Sequence, residues 1–262
     1  MPRTIPVADD PGLRVGCAGW SLPRALWPRF PAEGSHLQRY AARFGAVEID
    51  TSFYRPHRTE TYARWAAGTP AHFRFAVKLP KAITHDARLQ AADALLGDFM
   101  GQVAGLGDRL GCLVVQLAPS HAFDAPVVDG FLTTLRQRHA GAVALEPRHA
   151  SWFTPEAEAL LSRHRVGRVL ADPVLHAGGE RPGGWPGLAY VRLHGRPRVY
   201  WSAYDDALLA RLAARLALAR REGAACWCIL DNTAAGEAVG NALTLQAKLA
   251  GLAHPPRKET SS

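Results

Sequence analysis

The sequence has little of what marks disulfide-rich, membrane-spanning or disordered proteins. Only four of its 262 residues are cysteine, which is too few for a disulfide scaffold. No uncharged apolar run approaches the roughly 20 residues that cross a bilayer, and residues 1–11 lack the apolar core of a signal peptide. The composition, 48% hydrophobic and 21% charged, is that of a globular protein. We therefore expect a cytoplasmic protein without a membrane partner.

Lysine is also scarce, with four lysines against 27 arginines, and the formal net charge is +8. A basic balance of this size permits an anionic partner, nucleic acid included. The arginines are spread along the chain, however, and no dense basic arm or nucleic-acid motif is present. A solvated basic surface is the preferred interpretation.

Short apolar runs alternate with helical patterns along the chain. The runs predict eight strands, at 15–17, 46–49, 73–77, 112–117, 143–145, 166–171, 189–193 and 226–230. The helical patterns lie at 37–44, 60–67, 91–106, 127–139, 155–164, 205–221 and 237–249. Alternation of this kind indicates parallel strands with right-handed crossovers, and eight units match a (β/α)₈ TIM barrel. A doubly wound open sheet is the alternative, but the dinucleotide fingerprint that often opens it is incomplete after Gly19.

We expect one domain over residues 14–252, flanked by tails at 1–13 and 253–262. One connection departs from the pattern: residues 172–187, between predicted strands 6 and 7, contain two glycine pairs and three prolines. Proline removes a backbone donor and breaks helices, so this segment is predicted to be an irregular loop.

Polar residues stand at the carboxyl end of every predicted strand, where TIM barrels carry their active sites. Side chains alternate faces along a strand, so Glu48 and Asp50 share a face, as do Glu146 with Arg148 and Arg192 with His194. Their apolar neighbours Val47, Ile49, Leu145 and Leu193 are expected to face the helices. Polar groups from several strands that converge on one mouth indicate a binding or catalytic site.

These residues fall in stretches that resemble the YecE-like family, domain of unknown function 72. The stretches are VGCAGWS at 15–21, VEIDTSFYR at 47–55, FRFAVK at 73–78, VQL at 115–117, LEPRH at 145–149, SW at 151–152, YVRLHG at 190–195, DNT at 231–233 and NAL at 241–243. The resemblance runs from about residue 14 to residue 249 and implies a TIM barrel, but no activity. Ala118 and Leu230 depart from the family's usual proline and aromatic residue, and neither change removes a polar group from the mouth.

The first functional hypothesis is an enzyme that acts on an anionic or polyhydroxylated small molecule by general acid–base chemistry. Two carboxylates in different environments can divide the roles of acid and base, and arginine suits anion binding. The predicted catalytic residues are Glu48, Glu146, Lys78, His194 and Asp231. The predicted substrate-binding residues are Trp20, Asp50, Tyr54, Gln116, Arg148, His149, Trp152, Asp172, Arg192, Tyr200 and Asn232.

Three alternatives stay open at this point. A divalent metal with phosphodiesterase or isomerase chemistry would use Glu48, Glu146, His149, Asp172, His194 and Asp231, although the neighbouring cations Lys78, Arg148 and Arg192 oppose it. A nucleotide or nucleic-acid binding module is suggested by charge and aromatic residues. The charged residues could also neutralise one another as a polar plug. No cofactor is required by the sequence, no metal ligand is assigned, and neither substrate nor oligomeric state follows from it.

Overall fold

A computed structural model describes residues 12–253, which form a mixed α/β domain. The strands are β1 Leu13–Cys17, β2 Ala46–Ile49, β3 Arg74–Lys78, β4 Leu110–Gln116, β5 Ala142–Glu146, β6 Val166–Arg168, β7 Leu170–Asp172, β8 Gly183–Gly184, β9 Leu188–Leu193 and β10 Ala225–Leu230. The α-helices are α1 His36–Ala41, α2 Thr59–Ala67, α3 Asp93–Val103, α4 Ala125–Arg138, α5 Pro155–Arg163, α6 Asp206–Arg221 and α7 Glu237–Ala253. The predicted alternation of strands and helices is confirmed.

The strands form two sheets, with orders β1-β10-β9-β7 and β2-β3-β4-β5-β6-β8. Every pairing is parallel except that of β6 with β8, which is antiparallel. β8 lies in the irregular connection at 172–187, where no strand was predicted. Its residues, Gly183 and Gly184, have no side chains from which a strand pattern could be detected.

The two sheets meet at two places. Between β1 and β2, the Tyr40 hydroxyl accepts from the Cys17 amide at 2.8 Å and donates to the Ala46 carbonyl at 2.9 Å. Beyond it, the Gly19 amide donates directly to the Glu48 carbonyl at 2.9 Å. At the second place the predicted strand 166–171 divides, because β6 pairs with β5 whereas β7 pairs with β9.

Side-chain alternation separates two hydrophobic clusters. The larger cluster contains Val47, Ile49, Leu145 and Leu193 together with buried helix residues, as the alternation predicts. The smaller cluster consists of buried residues on the opposite face, namely Ala46, Ala76, Cys112, Val114, Ala144, Val169, Leu188, Tyr190, Trp227 and Ile229. The polar residues at the carboxyl strand ends point to the same side of the sheets as this smaller cluster. They therefore lie next to a small apolar layer.

Local capping fixes the helices that follow the strands. Thr154 accepts from the Ala157 amide and precedes Pro155, as expected for a helix start, and Asp124 and Asp205 cap α4 and α6 in the same way. No helix within residues 12–253 is long and apolar enough to span a membrane. The predicted tails lie almost wholly outside the described residues, although Leu13 already belongs to β1 and Ala253 to α7.

Candidate functional site

Arg192 of β9 is the centre of a buried ionic network, and its side chain is fully buried. Its Nη2 donates to Glu48 Oε1 at 2.6 Å and to Asp231 Oδ2 at 3.3 Å, and its Nη1 donates to Glu146 Oε2 at 2.7 Å. Asp50 Oδ1 lies 3.5 Å from Nη2. One guanidinium therefore contacts four carboxylates. Glu48 lies in β2 and Glu146 in β5, whereas Asp50 and Asp231 directly follow β2 and β10. A buried charge needs such partners to be tolerated.

On one side of Arg192, Glu48 is sealed inside the protein. Its side chain has no exposed surface, and its Oε2 accepts from the Tyr190 hydroxyl at 2.8 Å and from Arg192 Nε at 3.2 Å. Burial raises the pKa of Glu48 to about 7, against the opposing charge of Arg192 and with help from the nearby Asp50 and Asp231 carboxylates. Glu48 thus holds its proton far more tightly than an ordinary glutamate.

On the other side of Arg192, Glu146 accepts hydrogen bonds from more residues than Glu48 does. Its Oε1 accepts from Gln116 Nε2 at 2.9 Å and from Arg148 Nε at 3.1 Å. Burial opposes the ionisation of Glu146, but the charges of Arg192 and His194 outweigh it and hold the pKa well below its usual range. The two glutamates beside one arginine therefore have opposite pKa shifts.

His194 and Asp231 form a dyad next to Glu146. His194 Nδ1 lies 2.9 Å from Asp231 Oδ2, and Nε2 lies 3.4 Å from Glu146 Oε1. Within the described residues Nε2 has no hydrogen-bond partner, although it is buried. Burial works to lower the pKa of His194, but the Glu146 charge and the Asp231 contact together raise it. The imidazole is therefore protonated more readily than usual, and one carboxylate fixes its orientation.

A cavity of about 140 Å³ opens beside this dyad. Its walls come from the carboxyl ends of β5, β7 and β9 and from the loops that follow them. The polar lining side chains are Glu146, Arg148, His176, His194 and Tyr200, and the apolar ones are Pro147, Phe153, Val169, Ala171, Pro173, Val174, Leu175 and Val199. Tyr200 has a positive φ of 67° and packs its ring edge-to-face on His194 at 5.8 Å. The cavity joins ionisable side chains to an apolar wall, as ligand sites commonly do.

Lys78 and Asp50 lie at the edge of the network. Lys78 Nζ is 3.5 Å from Asp50 Oδ1 and 4.2 Å from the centre of the Phe53 ring. Burial opposes the ionisation of Asp50, but Arg192 and Lys78 lower its pKa. Lys78 does not line the cavity, so the structure gives it an ion-pair partner and no access to a ligand there.

Several predicted binding residues lie elsewhere. Trp152 is fully buried and its indole donates to the His121 carbonyl at 2.8 Å, so it is a core residue and cannot stack on a ligand. Tyr54 is 80% exposed and contacts Phe53 at the surface. Trp20 packs on Trp65. Of the four aromatic residues predicted to bind a substrate, only Tyr200 lines the cavity.

Three predicted polar residues have structural contacts instead. His149 Nδ1 lies 2.9 Å from Ser151 Oγ. Asn232 donates to the Ser202 carbonyl at 3.0 Å and to Asn241 at 2.9 Å. Asp172 accepts from the Tyr204 hydroxyl at 2.8 Å and lies next to the cavity residues Ala171 and Pro173. These contacts hold the loops around the cavity in place.

Sequence reasoning missed Tyr190 and His176. Tyr190 lies two residues before Arg192, and side-chain alternation therefore places it on the same face, so a signal existed. His176 lies in the irregular connection, where its Nε2 is 3.2 Å from the Arg148 carbonyl, and no periodicity points to it.

The residues named for a divalent metal do not form a metal site here. Arg192 occupies the space between Glu48, Glu146 and Asp231, and its guanidinium binds their oxygens. No group of three or more metal-ligating side chains with suitable geometry occurs in the described part of the chain. Like charge from Arg192 opposes a cation at this position.

Comparisons with known proteins give a consistent result. The family model described as "Protein of unknown function DUF72" matches residues 14–261. The UPF0759 protein YecE of Escherichia coli is 32% identical over 166 residues, which cover 61% of this chain and 59% of that protein. The UPF0759 protein YunF of Bacillus subtilis is 25% identical over 215 residues, covering 74% of this chain and 73% of that protein.

Solved structures of two DUF72 family proteins are similar in fold. The protein from Enterococcus faecalis has a TM-score of 0.79 at 22% identity, covering 91% of this chain and 95% of that one. The protein from Thermotoga maritima has a TM-score of 0.75 at 25% identity, covering 91% of this chain and 99% of that one.

Proposed function

The chain belongs to the DUF72 family, and from that premise we propose that the cavity beside His194 is the active site of a general acid–base catalyst for a small anionic molecule. One observation supports this most directly. His194 lines the cavity, its Nδ1 is held by Asp231 at 2.9 Å, and its buried Nε2 has no hydrogen-bond partner among the described residues. An imidazole that is oriented through one nitrogen and makes no hydrogen bond at the other is a common proton donor and acceptor in enzymes.

The proposal assigns a role to each cavity residue by its contacts. His194 exchanges a proton with the substrate through Nε2. Asp231 orients the imidazole, and the charge of Glu146 raises the pKa of His194, which favours the protonated form. Arg148, whose side chain is 25% exposed, is the anion-binding residue because it lies at the cavity with Nε already held by Glu146.

Arg192 and Glu48 are positioning residues in this proposal. Arg192 lies between Glu146 and Asp231 and binds both, and its charge lowers the pKa of Glu146. Glu48 is fully buried and does not line the cavity, so it acts through Arg192 and not on the substrate. Of the three carboxylates predicted to be catalytic, Glu146 is the one that reaches the ligand space.

The proposal includes a closed barrel of eight parallel strands, with β6 and β7 as one interrupted strand. Three observations support closure between β1 and β2: the Gly19–Glu48 hydrogen bond, the Tyr40 bridge, and the absence of a side chain at Gly16. A Cβ at Gly16 would lie 2.2 Å from the Ala46 carbonyl oxygen. In a closed barrel all carboxyl strand ends meet at one face, which explains why the network gathers residues from distant strands. Slow hydrogen exchange of the Gly19 amide is the expected result, and fast exchange would argue for an open edge.

The catalytic proposal can be tested without knowing the reaction. A panel of small carboxylates and phosphates is incubated with the protein in D₂O and followed by ¹H NMR, which detects both proton exchange and conversion. We expect a change in at least one compound with the wild-type protein and none with His194→Gln. His72→Gln is the matched control, since His72 is an exposed histidine outside the cavity.

Two results would count against the proposal. One is conversion that persists undiminished in His194→Gln. The other is a full panel of anions that neither changes nor binds, as judged by thermal stability, because a ligand at a hundredfold excess over its dissociation constant stabilises by about 2.7 kcal/mol.

A further inference from the structure

We infer that the ligand of this cavity is a compact carboxylic acid with an apolar body of about the size of one aromatic ring. The inference rests on the proposed function, because it names the class of molecule that the same site takes. It excludes the polyhydroxylated ligands that the sequence left open.

The charged end of the cavity suits a single negative charge. Arg148 Nε and His194 Nε2 lie 3.1 Å and 3.4 Å from the same oxygen, Glu146 Oε1. Arg148 and His194 thus approach one carboxylate together, and the guanidinium fork of Arg148, with His194 Nε2 beside it, would bind the carboxylate of a ligand. A phosphate dianion would bring a second charge towards ionised Glu146, so the repulsion favours the monoanion.

The body of the ligand meets few hydrogen-bonding groups. Eight lining side chains are apolar, and they come from the segment after β5, from residues 169–175 and from the loop after β9: Pro147, Phe153, Val169, Ala171, Pro173, Val174, Leu175 and Val199. A sugar hydroxyl that is buried against this wall would lose its hydrogen bonds to water without replacement. A hydrocarbon body makes no hydrogen bonds to water that it could lose, and the burial of its apolar surface is favourable.

The loops over the cavity expose apolar side chains that a ligand would cover. Ten large hydrophobic residues are exposed among the described residues, and five of them lie at 174–175 and 199–201. Leu175, for example, is 66% exposed although it lines the cavity. Exposed apolar surface concentrated at a cavity mouth is typical of a binding site for an apolar group.

The volume sets the size of the body. The cavity measures about 140 Å³, and a protein cavity of about 150 Å³ accommodates benzene. Benzoate and a branched six-carbon acid therefore fit with the carboxylate at Arg148, whereas a nucleotide does not fit inside.

The test measures the binding of four probes by calorimetry: benzoate, benzamide, phenylphosphonate and ribose 5-phosphate. We expect benzoate to bind with a dissociation constant of about 1 mM or tighter, and each other probe at least about tenfold more weakly. Benzamide keeps the shape of benzoate without its charge. Phenylphosphonate keeps the ring with a second charge, and ribose 5-phosphate is the polyhydroxylated anion.

Two variants locate the binding. Arg148→Gln should weaken benzoate at least about tenfold, with Arg211→Gln on the exposed face of α6 as its control. Ala171→Leu should abolish binding because the larger side chain fills the cavity, with Ala210→Leu on α6 as its control. Thermal unfolding of each variant checks that it is folded, and Arg148→Gln still tests the proposal if Ala171→Leu does not fold.

The outcomes separate this inference from the proposed function. If ribose 5-phosphate binds in an Arg148-dependent manner and benzoate does not, the ligand class is wrong and the catalytic site stands. Absence of binding by benzoate, or benzoate binding that both cavity variants leave unchanged, also overturns the inference. If benzoate binds as expected but His194→Gln has no effect on any conversion, the proposed catalysis fails while the binding site stands.

Discussion

The two sides of Arg192 contain the same residue type in different surroundings. Glu48 lies on the sealed side, where Tyr190 and Arg192 take up its oxygens and burial raises its pKa to about 7. Glu146 lies on the open side, where Arg148 and His194 add positive charge and its pKa falls well below the usual range. The comparison teaches that the number of neighbouring cations, and not burial alone, decides which carboxylate is ionised, since both are fully buried.

The largest expected effect is a loss of stability on removal of Arg192, the cation that Glu48 and Glu146 share. Arg192→Met leaves Glu48, Glu146 and Asp231 without their common cation, and breaking a buried ion pair in this way costs about 3–5 kcal/mol. Urea unfolding at neutral pH measures the loss. Arg211→Met on exposed α6 is the control and should change stability by less than about 0.5 kcal/mol. Equal stability of Arg192→Met and the wild type would mean that the carboxylates do not depend on this charge.

The second prediction compares the two glutamates by their pH dependence. The pKa of Glu48 is about 7 when folded and about 4.3 when unfolded. Its contribution to stability is therefore complete below pH ~4.3 and is lost as the pH rises through about 7. Glu48→Gln removes this dependence, so the stability of the variant relative to the wild type should rise by about 3 kcal/mol between pH 4.5 and 8.

Glu146→Gln should behave in the opposite way. The folded-state pKa of Glu146 is lowered, so its contribution is present above pH ~4.3 and is lost only on acidification. The wild type and Glu146→Gln should therefore keep a constant difference in unfolding free energy from pH 5 to pH 8. Urea unfolding of all three proteins across that range decides the matter, and parallel curves for the two variants would refute the contrast.

The smallest expected effect concerns the pKa of His194, on the same side of Arg192 as Glu146. Asp231→Asn replaces the carboxylate that contacts His194 Nδ1, and because this contact helps to raise the pKa of His194, that pKa should fall. Titration of the imidazole nitrogens by NMR measures the pKa. Asp98→Asn, on an exposed position of α3, should leave it unchanged. An unaltered His194 pKa in Asp231→Asn would show that Glu146 alone sets the protonation of the imidazole.

Much of the fold was predictable because its signals are local. The alternation in 46–49 and 143–145 set apart residues that face the helices from residues on the other face, and the helical pattern at 155–164 predicted α5. The division of 166–171 into β6 and β7 was not predictable. It depends on which neighbouring strand each half pairs with, and no residue in the run records that choice.

The site was predicted less completely. Alternation correctly grouped Arg192 with His194, and Glu146 with Arg148, and all four meet around Glu146. Trp20, Tyr54 and Trp152 lie away from the cavity, because proximity in sequence to a strand end does not fix where a ring points. Trp152 follows β5 closely, yet its ring lies in the core with its indole nitrogen on His121.

The sequence by itself determined which side chains share a face of each strand, since that follows from the two-residue repeat of extended backbone. It also determined that the carboxyl strand ends are polar. Only the tertiary structure decided that one arginine binds carboxylates from distant strands, that Glu48 is sealed while Glu146 borders a cavity, and that His194 Nε2 lies near Glu146 without a hydrogen bond. Those facts depend on which strands become neighbours and on where the loops at 172–187 and 195–202 lie, and such long-range contacts have no local signature in the chain.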